Sequence, residues 1–263
     1  MIKTINFYSI RSLTNLHVGS GDNNYGVVDN LVQRDVNTNL PTIHSSSLKG
    51  ALKEFFGYTD PSIISTVFGD SDHAGEWQFL SADLLSRPLR SDKLPYFHAT
   101  SPEVLSGLAH KFANMGLDVP AGLQELAQLE VERDTPLVFN EAYREAIIEE
   151  LDWQAEYRPT EASLDWISKV FGKNLVLVHN TDFRNLELPV IARNYLENGE
   201  SKNLWYEEAV PYDTRFGVFI VQSENCEEAF NQALSNNVQI GANASIGYGL
   251  CKLTNESALL TPA

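Results

Sequence analysis

INFYSIRSLTNLHV, residues 5–18, runs straight into GSGDNNYG, residues 19–26, and this junction decides the fold class. Ile5, Phe7, Tyr8 and Ile10 suit a pleated, half-buried surface, whereas the glycines and asparagines that follow suit turns. The stretch therefore predicts a strand followed by a loop. Beyond a short extended piece around Val27 to Val32, SSSLKGALKEFFGY (45–58) spaces Leu48, Leu52, Phe55 and Phe56 for one helical face, with serines placed to cap its start. WQFLSADLLSRPL (77–89) reads as a second strand, with Pro88 at an end or edge because proline cannot donate to a ladder. From Pro102 to about Ser163 the pattern turns helical and acidic, AGLQELAQLEVE and EAYREAIIEELDWQ being the clearest helices, so residues 102–163 are expected to form an insertion.

In RNYLENGESKNLWYEEAVPYD (193–213), Asn198-Gly199 between extended segments predicts a projecting hairpin. CEEAFNQALSN (226–236) reads as a helix, and VQIGANASIGYGLCKL (238–253) as two short strands joined by a glycine-bearing loop. Helices set irregularly among strands give an α+β fold, for which an elaborated ferredoxin-like sheet is the expected version.

The 263 residues, 43% of them hydrophobic, suffice for one large domain or two small ones. Apolar runs such as 175–178 and 218–221 fall far short of the roughly 20 residues of a membrane-spanning helix. Met1 to Ile10 carries no signal-peptide pattern, so a cytoplasmic location without membrane contact is expected. Cys226 and Cys251 stand far apart with no CxxC, which argues against a disulfide framework or a thiolate zinc site. With 35 acidic against 19 basic residues, a net of −16, the chain is not one that holds nucleic acid by bulk charge. Half of that excess lies in residues 118–152, where ten acids face two arginines.

Among site chemistries, a metal hydrolase is disfavoured because the six histidines are scattered without HExxH spacing. Asp70, Asp72 and His73 form the tightest group, expected to be a solvated turn, and the absence of GxSxG removes a serine triad. Three other segments are more informative. HVGSGDNNYGVVD (17–29) frees backbone at Gly19 and Gly21 for close approach to a ligand and ends in Asp29. SSSLKG couples a helix start to Lys49, a place for a phosphate as well as for a plain capped helix. GANASIGYG (241–249) offers main-chain donors or simply a tight turn.

Taken in order, LHVGSG (16–21), VVDNLVQRD (27–35), SSSLKGALKEFF (45–56), FG (68–69), SADLLSRPLRS (81–91), TSP (100–102), LWYEEAVPYDT (204–214) and QIGANASIGYG (239–249) resemble one family. It is the repeated backbone subunit of the type III-B CRISPR effector, the Cmr complex, within the RAMP superfamily. The resemblance spans nearly the whole chain and implies a single RAMP domain over residues 1–263 with an RRM-like core and a thumb hairpin at about 189–208. It implies a helical filament of copies of this chain with other Cmr subunits on a CRISPR guide RNA, acting in antiviral defence. It further implies endoribonuclease cleavage of complementary target RNA at regular intervals, with Asp29 as the cleaving residue. His17, Glu207 and Glu208 match positions near that centre. As the alternative to proton transfer by Asp29, a divalent cation such as Mg²⁺, held by Asp29 and phosphate oxygens without dedicated metal ligands, is the expected cofactor. Gly19, Ser20, Gly21, Arg34, Ser46, Ser47, Lys49, Gly241, Asn243, Ser245 and Gly247 match guide-binding elements. Two departures stand out: His44 and Ser45 replace the family's usual proline and glycine, and the loop before Asp29 carries Asn24-Tyr25 and is longer. A non-catalytic guide-binding scaffold and a stand-alone nuclease that trims guide precursors are the alternatives.

Overall fold

A computed structural model describes residues 3–21, 26–149, 153–223 and 226–257. The Asn23-Asn24-Tyr25 part of the first loop and residues 150–152 of the expected second acidic helix lie outside the described residues. Strand β1 (Lys3–Ser12) is covered on both sides, with Phe7 in one core cluster and Tyr8 and Ile10 in the other. There follow β2 (Thr42–Ile43), α1 (Ser45–Thr59), α2 (Ile64–Phe68), β3 (Gln78–Phe79) and β4 (Ala82–Leu89). Helix α1 buries Leu48, Leu52 and Phe56, four residues apart, as its spacing requires. The serines do not cap it. His44 is the N-cap residue, held by its N–H on Gln33 Oε1 at 2.8 Å, so the helix begins before a serine can take that role. Asp70 closes the turn after α2, accepting from the Ser65 hydroxyl and from the Asp72 and His73 N–H groups. These bonds, the Ser65 one foremost, hold its carboxyl well below the usual carboxylate range.

Next come β5 (Phe97–Thr100), α3 (Pro102–Asn114), α4 (Leu123–Ala127), β6 (Leu137–Val138), β7 (Ile147–Ile148), β8 (Trp153–Gln154), β9 (Glu156–Tyr157), α5 (Asp165–Val170), β10 (Leu175–Leu177) and α6 (Asn180–Asn185). α3 is helical as expected, capped by Ser101 with Pro102 at its first turn. The rest of the acidic stretch is not. AGLQELAQLEVE yields only α4, and EAYREAIIEELDWQ yields a 3₁₀ turn and the β7–β8 pair. The reason is tertiary: Ala146 and Ile148 are both fully buried, a period of two, while Glu145 and Glu149 take φ of +60° and +57°, which an α-helix interior does not tolerate.

β11 (Val190–Glu197) and β12 (Glu200–Glu208) form a separate two-stranded sheet, turned by Asn198 at φ +53° and Gly199 at φ +84° as in a type I′ hairpin. The chain ends with β13 (Arg215–Ser223), α7 (Glu227–Ala233), β14 (Val238–Gln239) and β15 (Leu250–Asn255). The main sheet runs β14-β15-β1-β13-β4-β5-β10-β6-β9. Its centre, β15-β1-β13-β4, places the fourth, first, third and second core strands side by side with α1 and α7 as the connecting helices, the ferredoxin-like arrangement. α1 and α7 meet on one face, where Phe56 stacks on Phe230 at 4.7 Å. On the other, Phe7 and Phe219 each lie 5.0 Å from Phe112 of α3. That second face is where an RRM exposes aromatics to stack bases. Here α3 to α5 fill it, which leaves the strand ends and loops as the available binding surface. Among the described residues no helix is long and apolar enough to cross a membrane.

Candidate nucleic-acid interface

The glycine loop after β1, the start of α1, the base of the hairpin and the 241–249 loop meet at one end of the sheet. Residues 29–34 run beside the hairpin base, with Asn30 bridged in parallel to Glu207. Asp29 is exposed, and the backbone fixes it from both sides: its N–H donates to the Tyr206 carbonyl at 3.0 Å, and its Oδ2 accepts the Tyr206 N–H at 2.8 Å. A carboxylate is thus pinned in the open at the root of a projecting hairpin.

Glu207 and Glu208 are placed differently, only 4% and 7% exposed. Glu208 receives Arg34 Nη2 at 2.8 Å and the Val32 N–H at 3.1 Å, tying the hairpin to the loop that carries Asp29. Glu207 receives Arg193 Nη2 at 3.2 Å and Asn243 Nδ2 at 2.6 Å, tying it to the 241–249 loop. Arg193 also lies 4.5 Å over the Tyr248 ring, a cation–π contact that closes this second tie. His17 is buried as well. Its Nδ1 lies 2.7 Å from the Glu208 carbonyl oxygen, which makes Nδ1 the donor, and Nε2 lies beneath Gly19.

The loops meet their neighbours mostly through main chain. The Ser20 N–H donates to the Leu31 carbonyl at 2.9 Å, Gly19 is bridged to Val32, and Gly21 turns at φ +81°. Ala242 donates its N–H to the His17 carbonyl at 2.9 Å, an approach so close that a Cβ on Gly241 would stand 2.3 Å from that oxygen. Asn243 and Gly247 flank a 3₁₀ turn at φ +65° and +84°, leaving Ser245 exposed. Ser46 is exposed, Ser47 accepts from Gln33 Nε2 at 2.9 Å, and the first-turn N–H groups of α1 have no partner inside the helix. Lys49 is half-buried and has no carboxylate within 4.0 Å among the described residues, whereas Arg34 is engaged by Glu208 and by the Asn39 carbonyl.

Three residues of this assembly were not among the candidate site residues, although all lie inside segments read from the sequence. Gln33, 7% exposed, joins the Gly19 carbonyl, Ser47 and the His44 N–H, and so sets the glycine loop against α1. Arg193 and Tyr248 complete the lock on Glu207.

Comparison with known proteins bears on what such an interface serves. Over 92% of this chain and 92% of the relative, the sequence is 28% identical to the CRISPR system Cmr endoribonuclease Cmr4 of Pyrococcus furiosus. The fold is similar to that of a chain in the type III-B Cmr-beta structure in its apo state, with TM-score 0.77 and 22% identity, covering 95% of this chain and 96% of that one. It is also similar to oligomeric Cmr4 from Pyrococcus furiosus, with TM-score 0.69 and 25% identity over 97% and 98% of the two chains. The sequence pattern of the RAMP superfamily matches residues 9–252. On that match, which takes in every segment of the interface, the chain belongs to the RAMP superfamily.

Proposed function

We propose that this chain is the repeated, guide-RNA-binding subunit of a cytoplasmic type III-B CRISPR effector, and that it cleaves complementary target RNA with Asp29 as the catalytic group. The full-length similarity to a Cmr endoribonuclease supports the reading. The observation that carries it is the exposed Asp29 carboxylate, fixed by Tyr206 at the hairpin root.

RNA cleavage needs no protein nucleophile, because a ribose 2′-hydroxyl attacks the adjacent phosphate once the nucleotide is splayed into line, forming a 2′,3′-cyclic phosphate as the bond from phosphorus to the 5′-oxygen breaks and that oxygen leaves with a proton from water. The hairpin supplies the splaying surface, since Tyr195, Leu196, Leu204 and Tyr206 are all exposed along it. Asp29 orients the 2′-hydroxyl and accepts its proton. A carboxylate is a weak base at neutral pH, so its charge acts chiefly by holding the 2′-hydroxyl in a charge-assisted hydrogen bond, a role that a neutral amide fills poorly. Glu207, Glu208 and His17 act as positioning residues, each buried and bonded so as to set the hairpin against the Asp29 loop. Main-chain donors of the glycine loop, the start of α1 and the 241–249 loop hold guide phosphates, with Lys49 as a side-chain cation. This arrangement suits a chain of net charge −16.

Among the described residues no group of three His, Cys, Asp or Glu side chains is placed to hold a metal ion. A divalent cation such as Mg²⁺ would therefore rest on Asp29 and RNA phosphate oxygens, a usual arrangement for an ion that binds through one or two carboxylates. When bound it would neutralise charge at the reacting phosphate.

The test is cleavage of a labelled, guide-complementary RNA by the reconstituted complex, with wild type and Asp29→Ala compared at matched target occupancy. Wild type should give evenly spaced cuts, and the variant should bind the target yet cut about 10²-fold or more slowly. Equal cutting by both would make this chain a scaffold and assign cleavage elsewhere.

A further inference from the structure

Positive charge gathers a second time in a cleft of about 620 Å³ between the end of α5 and the adjoining ends of β1, β13 and β5. Arg11, Lys169, Lys173 and Arg215 line it, and Asp213 is the one carboxylate among its lining residues. Counting also the neighbouring Glu256, whose carboxyl is raised by burial and drawn back by the charges of Lys169 and Arg215, four cations meet two carboxylates among the described residues, a surplus of two in a chain whose net charge is −16. Such a surplus repels itself unless something anionic answers it.

The cluster is built rather than incidental. Asp213 is 3% exposed, and its Oδ1 takes Arg11 Nε at 2.6 Å and Arg215 Nη2 at 3.2 Å. Its Oδ2 accepts the Tyr96 hydroxyl at 2.8 Å and lies 3.1 Å from His98 Nε2. Burial alone would raise the Asp213 carboxyl, but the Tyr96 hydrogen bond and the charges of Arg215, His98 and Arg11 outweigh it and hold the group below its usual range. An ionised Asp213 therefore fixes two guanidinium groups side by side without cancelling both. Arg11 and Arg215 are direct cross-strand partners in the β1–β13 ladder, a like-charge pairing that is ordinarily destabilising. Arg215 Nε is moreover buried with no hydrogen-bond partner.

The rim adds an aromatic surface. Tyr212, 47% exposed, meets Tyr96 edge-on at 5.7 Å. Its N–H donates to Asn15 Oδ1 at 3.1 Å, and the Asn15 carbonyl accepts the Gly249 N–H at 2.8 Å, so the cleft adjoins the 241–249 loop. Guanidinium and ammonium groups beside an exposed aromatic ring are what single-stranded nucleic acid requires, phosphates meeting the cations and a base meeting the ring.

We propose that this cleft is a second contact for the phosphate backbone of single-stranded RNA, reached from the loop interface past Asn15 and Tyr212. The identity of the anion as RNA rests on the function proposed above, whereas the charge and construction of the cleft do not.

The test is a fluorescence-anisotropy titration of the full-length chain with a short labelled single-stranded RNA across a salt series. Wild type is compared with Lys169→Ala/Lys173→Ala, two exposed side chains outside the Asp213 cluster, and with Lys49→Ala at the loop interface. The double variant should unfold thermally like wild type, bind roughly tenfold more weakly, and lose about 0.7 per broken contact from the slope of log affinity against log salt. Unchanged affinity and slope in the double variant, with Lys49→Ala weakened, overturns the cleft and leaves the proposed function standing. Loss in the double variant alone supports the cleft and counts against the loop interface. RNA binding that survives while self-association of the double variant weakens assigns the cleft to an acidic protein surface, and overturns the proposal. A wild-type chain that binds no RNA overturns both readings.

Discussion

Gly241 and Gly247 share a backbone hand, φ +80° and +84°, and differ in what surrounds them. A Cβ on Gly241 would stand 2.3 Å from the His17 carbonyl oxygen, whereas nothing lies within 4 Å of one on Gly247. Left-handed backbone alone costs a side chain about 1–2 kcal/mol, so Gly247→Ala should lose about that much stability. Gly241→Ala should lose more, because the loop must also pull away from His17. Urea unfolding of the two variants checks this, and equal losses would contradict the close approach. Contacts at this scale also separate residues that a motif groups. The family resemblance groups Asp29, His17, Glu207 and Glu208, and the fold does bring them together. Burial and pairing then divide them, with Asp29 open and the other three covered and bonded.

At the scale of elements, the hairpin shows both what local sequence encodes and where it stops. Asn198-Gly199 marks the turn, and strict pairing from that turn would put Arg193 and Glu207 on opposite faces. The register shifts by one between Tyr195↔Asn203 and Leu196↔Ser201, leaving Lys202 as the extra residue. Below this bulge Ile191 faces Glu207, so Arg193 comes onto the same face as Glu207 and can pair with it. Deleting Lys202 should therefore leave the hairpin formed but break the Arg193–Glu207 tie. Target cleavage by the assembled complex is expected to fall about tenfold or more, since small misplacements of a reacting group carry large rate costs. Unchanged cleavage would show that this tie does not set the site. The segment 141–154 shows the opposite failure. Its glutamates and alanines favour a helix intrinsically, yet Ala146 and Ile148 are buried at a strand's period against partners far away in sequence. By contrast α1, whose apolar positions repeat at four, needed no distant partner to be legible.

Over the whole molecule, the core strands, the hairpin and the glycine loops were each visible as local patterns, but their meeting point was not. The hydrogen bond that fixes Asp29 joins residues 177 positions apart, and the Glu208 contacts span 174 and 176. No periodicity reports such contacts, and only the family resemblance singled Asp29 out among the loop residues. The cleft around Asp213 went unread for the same reason, since its cations come from three separate segments of an acidic chain. The central claim is that the charge on Asp29, held by Tyr206 at the hairpin root, drives target cleavage. The measurement that tests it most directly is the single-turnover cleavage rate of the assembled complex with Asp29→Asn. Asparagine keeps an oxygen for the Tyr206 N–H and nearly the same shape while removing the charge. The account predicts intact guide assembly and target binding with cleavage slowed about 10²-fold or more; cleavage at the wild-type rate would contradict it.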